Sequence, residues 1–217
     1  MPRPAPDALM LLATGCAHCP GVLEGLSQLL KQGRIGRLEV VNIVEHPQAA
    51  QAVGSRSVPW VRIGQFELEG ALTPAELARW VARCDTEAGY AAYLGYLLET
   101  RRTDKAQTLL ERQPARLPLL IGLLADDETP MTTRIGIGVV LEELTGSDLL
   151  GEGLAALIAL ADSPHANIRA DAAHYLGLTH LQAAAAPLKK LLGDEHPDVR
   201  EIAAEALEIL LNEQHNG

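Results

Sequence analysis

Aromatic side chains are scarce in this chain of 217 residues, of which only 3% are Phe, Trp or Tyr. Apolar residues make up 47% of the sequence, so the cores must be built from Ala, Leu, Val and Ile. No apolar run approaches the roughly 20 residues needed to span a bilayer. Residues 1–7 are rich in proline and precede only six apolar residues, which does not resemble a secretory signal. We therefore expect a cytoplasmic protein with no membrane partner.

Basic residues are also in short supply, and the net charge is −10. Residues 1–86 contain eight Lys or Arg and eight Asp or Glu, whereas residues 87–217 contain ten and twenty. Binding to nucleic acid or to an anionic membrane depends on a concentrated basic surface. The acidic balance argues against both partners, and it marks a change of character near residue 86.

The chain contains only three cysteines, too few for a disulfide framework. Cys84 continues a helical series of apolar residues and is expected to be a small buried side chain. Cys16 and Cys19 instead follow the apolar run at 8–13 and precede an amphipathic stretch that opens at Pro20. This pattern predicts a strand, a turn that carries the two thiols, and a helix.

The position of the two thiols predicts their chemistry. A thiol at a helix N-terminus faces unpaired backbone N–H groups and the positive end of the helix dipole, and both favour its thiolate. Cys16 is therefore predicted to be the attacking thiol. Cys19, about one turn further on, can attack a mixed disulfide on Cys16 and release the product. His18 lies between them and, when protonated, adds a charge that favours the thiolate. On its own, however, C-x-x-C serves metal sites as well as redox sites.

Strands and helices alternate through the first part of the chain. Gly64-Gln65 is predicted to be a tight hairpin, and Thr73-Pro74-Ala75-Glu76 has the features of a capping box. The predicted elements are a strand at 8–13, a helix at 20–32, a strand at 35–44, a short helix at 47–53, strands at 57–63 and 66–69, and a helix from Thr73. The predicted order is therefore β-α-β-α-β-β-α.

This order resembles the thioredoxin/glutaredoxin-like fold in its minimal form, over residues 7–84. The resemblance rests also on Cys16-Ala17-His18-Cys19 after the first strand and on Val58-Pro59 at the start of the third. In that family this proline follows a cis peptide bond beside the cysteines, and the backbone of the residue before it pairs with an extended substrate. The resemblance implies these roles for Pro59 and Val58. Trp60, next to them, is either a core side chain or part of a substrate rim.

A second resemblance concerns the same cysteines. Residues 15–19 followed by a helix are similar to the heavy-metal-associated domain, in which two cysteines bind a soft ion such as Cu(I). That fold has the order β-α-β-β-α-β, with a strand after its last helix, where this chain predicts a final helix. Structural zinc usually needs four ligands, and the sequence has no second cysteine pair. We expect neither a metal nor a cofactor, and a Cu(I)-binding metallochaperone is the lesser alternative.

From residue 87 onward every segment has helical period, and part of the sequence repeats. Residues 165–173 (HANIRADAA) align with residues 196–204 (HPDVREIAA), 31 residues later, and a looser copy surrounds Arg134. Helix pairs that recur at a fixed period stack into a solenoid. These residues resemble HEAT-like repeats, particularly those of the phycobilisome-lyase HEAT family. The resemblance implies structural roles for four charged residues of the repeats, Arg169, Arg200, Asp162 and Asp198.

The sequence thus predicts an α/β thioredoxin-like domain at residues 1–86, followed by an all-α HEAT-like helical-repeat domain at residues 87–217. We expect a thiol–disulfide oxidoreductase that acts on protein substrates through Cys16 and Cys19, with the HEAT-like repeats as its protein-interaction arm. The alternative is a non-enzymatic adaptor or redox-sensor scaffold, in which the acidic solenoid binds a partner and the cysteines report the redox state.

Overall fold

The computed structural model describes residues 4–216, and the side chains of residues 4–212. The chain divides between Gly89 and Tyr90 into two compact units. The first unit contains the strands of the described chain, and the second is helical. The expected change from an α/β to an all-α architecture is therefore confirmed.

Strands and helices of the first unit follow the predicted order. The elements are β1 (Ala8–Leu12), α1 (Cys19–Lys31), β2 (Leu38–Asn42), α2 (Pro47–Ala52), β3 (Trp60–Ile63), β4 (Phe66–Glu69) and α3 (Pro74–Arg83). α3 opens with the predicted capping box, in which Thr73 accepts from the Glu76 amide and the Glu76 side chain accepts from the Thr73 amide. Gly25 lets α1 and α3 approach closely, because a Cβ there would lie 2.8 Å from Leu77 Cδ1.

The four strands form one mixed sheet in the order β2-β1-β3-β4. β1 is parallel to β2 and antiparallel to β3, and β3 is antiparallel to β4. Leu12 lies opposite Asn42, and Leu11 lies opposite Trp60. The loops that leave β1 and β2 and the loop that enters β3 therefore meet at one edge of the sheet. That edge positions the two cysteines.

Three strands are shorter than the sequence predicts. β1 ends at Leu12 rather than at residue 13. β2 covers Leu38–Asn42 rather than residues 35–44. It begins late because the Ile35 amide still donates to Leu29 O of α1, in the turn that follows that helix. β3 begins at Trp60 rather than at residue 57. Pro59 has no N–H group to donate to a neighbouring strand, so the ladder starts after it.

The second unit is built from helices and short 3-10 turns. Its helices are α4 (Glu87–Glu99), which begins just before the division, α5 (Thr103–Arg112), α6 (Leu117–Gly122), α7 (Met131–Glu143), α8 (Asp148–Gly151), α9 (Leu154–Leu160), α10 (Ala166–Leu178), α11 (Ala185–Leu191) and α12 (Pro197–Asn216). The two copies of the repeated sequence open α10 and α12, and these two helices pack against each other.

One arginine in each of the two copies, and Arg134 in the looser copy, binds the loop that precedes its helix. The hydrogen bonds run from Arg134 Nη2 to Leu124 O (3.3 Å) and Asp126 O (2.8 Å), from Arg169 Nη1 to Ser163 O (3.0 Å) and Pro164 O (3.1 Å), and from Arg200 Nη1 to Asp194 O (2.8 Å) and Glu195 O (3.0 Å). These bonds satisfy carbonyl groups that the loop geometry leaves without a helical partner. Arg169 and Arg200 thus have the structural role that the sequence predicts.

A carboxylate that the sequence did not single out completes one of these loops. Arg169 forms a two-pronged ion pair with Asp194, with Nε to Oδ2 at 2.7 Å and Nη2 to Oδ1 at 2.8 Å. Asp194 Oδ1 also accepts from the His196 amide at 2.9 Å. The Arg169 hydrogen bond is the main cause that lowers the pKa of Asp194 to about 2. Asp162 and Asp198 are more exposed, and they pair with Lys190 and His196.

Candidate redox site

Cys16 and Cys19 form a disulfide in the loop that connects β1 to α1. Cys19 is the first residue of α1, and Cys16 lies three residues before it. Gly15 has a φ of +82°, and the Cys16 amide donates to Ala13 O at 3.2 Å. A positive φ favours glycine, and Gly15 thus permits the tight turn that carries the chain from β1 to α1.

The sulfur of Cys16 lies at the N-terminal end of α1. The Cys19 amide donates to Cys16 Sγ at 3.2 Å, and this amide is among the N–H groups that have no partner within the helix. α1 has 13 residues and no acidic residue in its first turn. The hydrogen bond and the helix dipole would both stabilise a negative charge on Cys16 Sγ once the disulfide is reduced.

The two sulfurs differ in access to solvent. Cys16 is half-buried, whereas Cys19 is 4% exposed. An external partner can therefore reach Cys16 first, with Cys19 behind it. His18 is exposed in the turn between them and occupies the N-cap of α1. Within the described part of the chain, its side chain makes no hydrogen bond to either sulfur.

Val58 and Pro59 enter β3 at the same edge of the sheet at which β1 delivers the cysteine loop. The peptide bond between them is cis. Pro59 is buried and its carbonyl accepts from the Gly70 amide at 3.0 Å. Val58 is half-buried, and over residues 4–216 its backbone amide and carbonyl take part in no hydrogen bond. This short segment thus has main-chain groups available to an extended chain.

Trp60 lies in the core of the first unit. Its side chain is 0% exposed, on a strand that has β1 on one side and β4 on the other. Of the two interpretations that the sequence left open, the structure favours the core side chain over the substrate rim.

The order of elements in the first unit differs from that of the heavy-metal-associated domain, because α2 separates β2 from β3 and the unit ends on a helix.

Sequence reasoning missed Asn42, which ends β2 beside the cysteine loop. Its Nδ2 donates to Thr14 Oγ1 at 3.0 Å, and its Oδ1 accepts from the Val44 amide at 3.0 Å. These bonds tie the loop before Cys16 to the loop after β2. Asn42 and Thr14 lie 28 residues apart, and no local pattern marks either of them.

The third cysteine is buried away from this edge of the sheet, at the end of α3. Cys84 Sγ donates to Ile63 O at 3.6 Å, and burial raises the pKa of its thiol to about 11. This thiol is therefore almost entirely protonated at neutral pH and unreactive.

Over the described residues, no group of three or more His, Cys, Asp or Glu side chains is placed to hold a metal ion.

Fold and site together define an α/β unit with an accessible C-x-x-C disulfide, followed in the chain by a helical-repeat unit. Residues 117–208 match the family of HEAT repeats, which supports HEAT-like repeats in this part of the second unit. Repeats of this kind commonly mediate protein interactions through extended surfaces. No curated protein matches the chain. Among the residues described, no helix has both the length and the apolar character required to cross a bilayer.

Proposed function

We propose that this protein is a thiol–disulfide oxidoreductase that acts on protein substrates. In this proposal residues 1–86 form a thioredoxin-like domain, and residues 87–217 form a HEAT-like interaction arm that selects the substrate. The observation that supports it best is the Cys16–Cys19 disulfide at the start of α1, in which the more accessible sulfur accepts the first amide of the helix.

The first step starts from the reduced pair. The Cys16 thiolate attacks one sulfur of a substrate disulfide, so that a bond forms between Cys16 Sγ and that sulfur and the substrate S–S bond breaks. The second substrate sulfur leaves as a thiolate and takes a proton from solvent. The Cys19 amide and the dipole of α1 make Cys16 the sulfur that ionises first.

The second step releases the substrate. Cys19, as its thiolate, attacks Cys16 Sγ, which forms the internal disulfide and expels the remaining substrate sulfur. The substrate gains two electrons and two protons in total, and the pair loses them. A dithiol reductant of the cytoplasm regenerates the reduced pair by the same exchange. Neither a metal nor a cofactor takes part.

Two further groups assist this exchange. An extended substrate pairs its backbone with the amide and carbonyl of Val58 and so adds a short strand beside the cysteine loop. Pro59 fixes the direction in which that backbone faces. His18, when protonated, adds positive charge near the Cys16 thiolate.

The acidic balance of the chain leaves nucleic acid and anionic membranes as unsuitable partners.

The test traps the mixed disulfide with Cys19→Ser. This variant retains the attacking thiol but cannot resolve the intermediate, so it should hold substrate proteins covalently until a reductant is added. Cys16→Ser is the matched control and should trap none, whereas Cys84→Ser should behave as the parent chain. In the reduced protein, the pKa of Cys16 should lie below the ordinary value of about 8.5. An ordinary pKa together with no trapped protein would refute the proposal.

The HEAT match favours one alternative, a non-enzymatic adaptor whose cysteines sense redox state. The adaptor requires partner binding that survives in the Cys16→Ser/Cys19→Ser double variant, without disulfide exchange in the parent chain. Purified reduced protein that holds one Cu(I) per chain through the two cysteines would instead support the metallochaperone.

A further inference from the structure

The outer face of α7 carries an apolar stripe that the second unit leaves open. Met131, Ile135 and Val139 follow one another at four-residue intervals and are 69%, 60% and 39% exposed. The three residues span about 12 Å of helix. Apolar side chains grouped on one helix face, unlike scattered ones, are characteristic of interaction surfaces.

A groove runs beside this stripe. It is lined by Leu98, Arg101 and Thr103 and, from α7, by Thr132, Ile135, Gly136 and Val139, around a volume of about 310 Å³. The groove exists because α7 approaches α4 closely at Gly136, where a Cβ would lie 3.1 Å from Leu98 Cβ. We call the stripe and the cavity together the α7 groove. Its size and apolar wall suit side chains that project from one face of an amphipathic helix.

Both ends of the α7 groove are acidic. Asp126, Asp127 and Glu128 precede the helix, and Glu142 and Glu143 end it, and all five are exposed. Arg134 is the basic residue within α7, and its guanidinium is engaged by Asp171 Oδ2 at 3.0 Å and by loop carbonyls. Asp127 and Glu142 also lie within ion-pair distance of His165 and His174, at 3.4 and 3.8 Å. The two acidic clusters lie about 20 Å apart, with the apolar stripe between them, and Arg101 is exposed at the groove.

We infer that the α7 groove binds an amphipathic helix of a partner protein, apolar in its centre and with Lys or Arg at both ends. Basic residues at the two ends would meet carboxylates, and the apolar centre would cover Met131, Ile135 and Val139. A second copy of this chain is a poor occupant. Laid on the groove in either direction, its own α7 would bring carboxylates against carboxylates, which is unfavourable.

The α7 groove would be the specific surface of the interaction arm in the proposed function, and its test does not depend on the chemistry of the cysteines. The probes are synthetic helical peptides that contain no Cys, share one Leu-rich face and carry either Lys or Glu at both ends. Binding to the full chain is measured by fluorescence anisotropy. The Lys-ended peptide should bind, and its affinity should fall as salt is raised, because screening weakens its contacts with the carboxylates.

Two pairs of substitutions locate the site. Ile135→Ser/Val139→Ser removes exposed apolar groups, and Glu128→Lys/Glu143→Lys reverses one charge at each end. Each pair should weaken binding of the Lys-ended peptide by about tenfold or more. The matched control, Glu205→Lys/Glu208→Lys, makes the same charge change at exposed positions of α12 and should change the affinity by less than about twofold.

Three results would overturn the inference. The first is that the Lys-ended and Glu-ended peptides bind equally well, or that neither peptide binds. The second is an equal loss of affinity in the α12 control, which would indicate general attraction to an acidic protein. The third is a concentration-dependent dimer that Ile135→Ser/Val139→Ser dissociates, which would identify a second copy as the occupant. Each of them leaves the trapping result for Cys19→Ser unaffected, so the two proposals fail separately.

Discussion

Two ion pairs in the repeat region have similar chemistry but very different burial. The side chains of Arg169 and Asp194 are 10% and 8% exposed, whereas those of Lys190 and Asp162 are 71% and 63% exposed. Exposed pairs contribute about 0–1 kcal/mol to stability. Removing one partner of a buried pair costs about 3–5 kcal/mol, since the other charge stays buried without compensation. Burial therefore decides which of these aspartates matters for folding.

Asp194→Asn should lower the free energy of unfolding by about 3 kcal/mol, whereas Asp162→Asn, the matched control, should lower it by less than about 1 kcal/mol. Urea unfolding monitored by the helical circular dichroism signal measures both. Equal effects of the two substitutions would contradict this assignment of the Arg169 contact.

The same substitution should change how stability depends on pH. The folded pKa of Asp194 is about 2, below its ordinary value of 3.8. The stability that this carboxylate supplies is therefore complete above pH 3.8 and is lost as the pH falls through 2. The parent chain should lose on the order of 2 kcal/mol more than Asp194→Asn across that interval. Parallel curves for the two proteins would show that the ion pair does not link folding to protonation.

At the scale of elements, local pattern predicted the kind and order of the strands and helices in the first unit, together with the turn that carries Cys16 and Cys19. Boundaries were less predictable, as at Ile35, whose amide donates to Leu29 O of α1 instead of pairing with β1. The hydrogen bond from Asn42 to Thr14 was not predictable either. It depends on the parallel pairing of β1 with β2, and nothing in either local sequence reveals that pairing.

Asn42→Ala should loosen the loop that holds Cys16 at the start of α1. With Thr14 released, the hydrogen bond from the Cys19 amide to Cys16 Sγ would form for less of the time, and the thiolate would lose part of its stabilisation. We expect the pKa of Cys16 in the reduced protein to rise towards that of an ordinary thiol. Thiolate absorbance followed through a pH titration measures it.

Glu39→Ala is the control for Asn42→Ala, because Glu39 is an exposed residue of the same strand that pairs with Arg37. It should leave the pKa of Cys16 unchanged. Thr14→Val removes the acceptor of the Asn42 bond, and adding it to Asn42→Ala should shift the pKa no further if the two act as a pair. Additive shifts would show that Asn42 acts through another contact.

At the scale of the whole molecule, the sequence indicated two parts through a shift in charge and in periodicity near residue 86. The structure divides the chain into two compact units, each with its own apolar core. The α7 groove, in contrast, was not predictable from the sequence. That groove arises from the approach of α7 to α4 at Gly136, which the linear repeat pattern does not reveal.

This division leads to a prediction that separates the oxidoreductase from the redox sensor. Reduction of the disulfide should speed amide hydrogen exchange near the cysteine loop and the first turns of α1, because those segments lose their covalent link. Exchange at residues 90–212 should stay unchanged, since an oxidoreductase needs no signal from its cysteines to its arm. The Cys16→Ser/Cys19→Ser variant, treated with the same reductant, controls for effects on other groups. Altered protection from exchange along α7 or α10, seen in the parent chain and not in the double variant, would mean that the repeats respond to the redox state. The redox-sensor scaffold would then explain this chain better than the oxidoreductase.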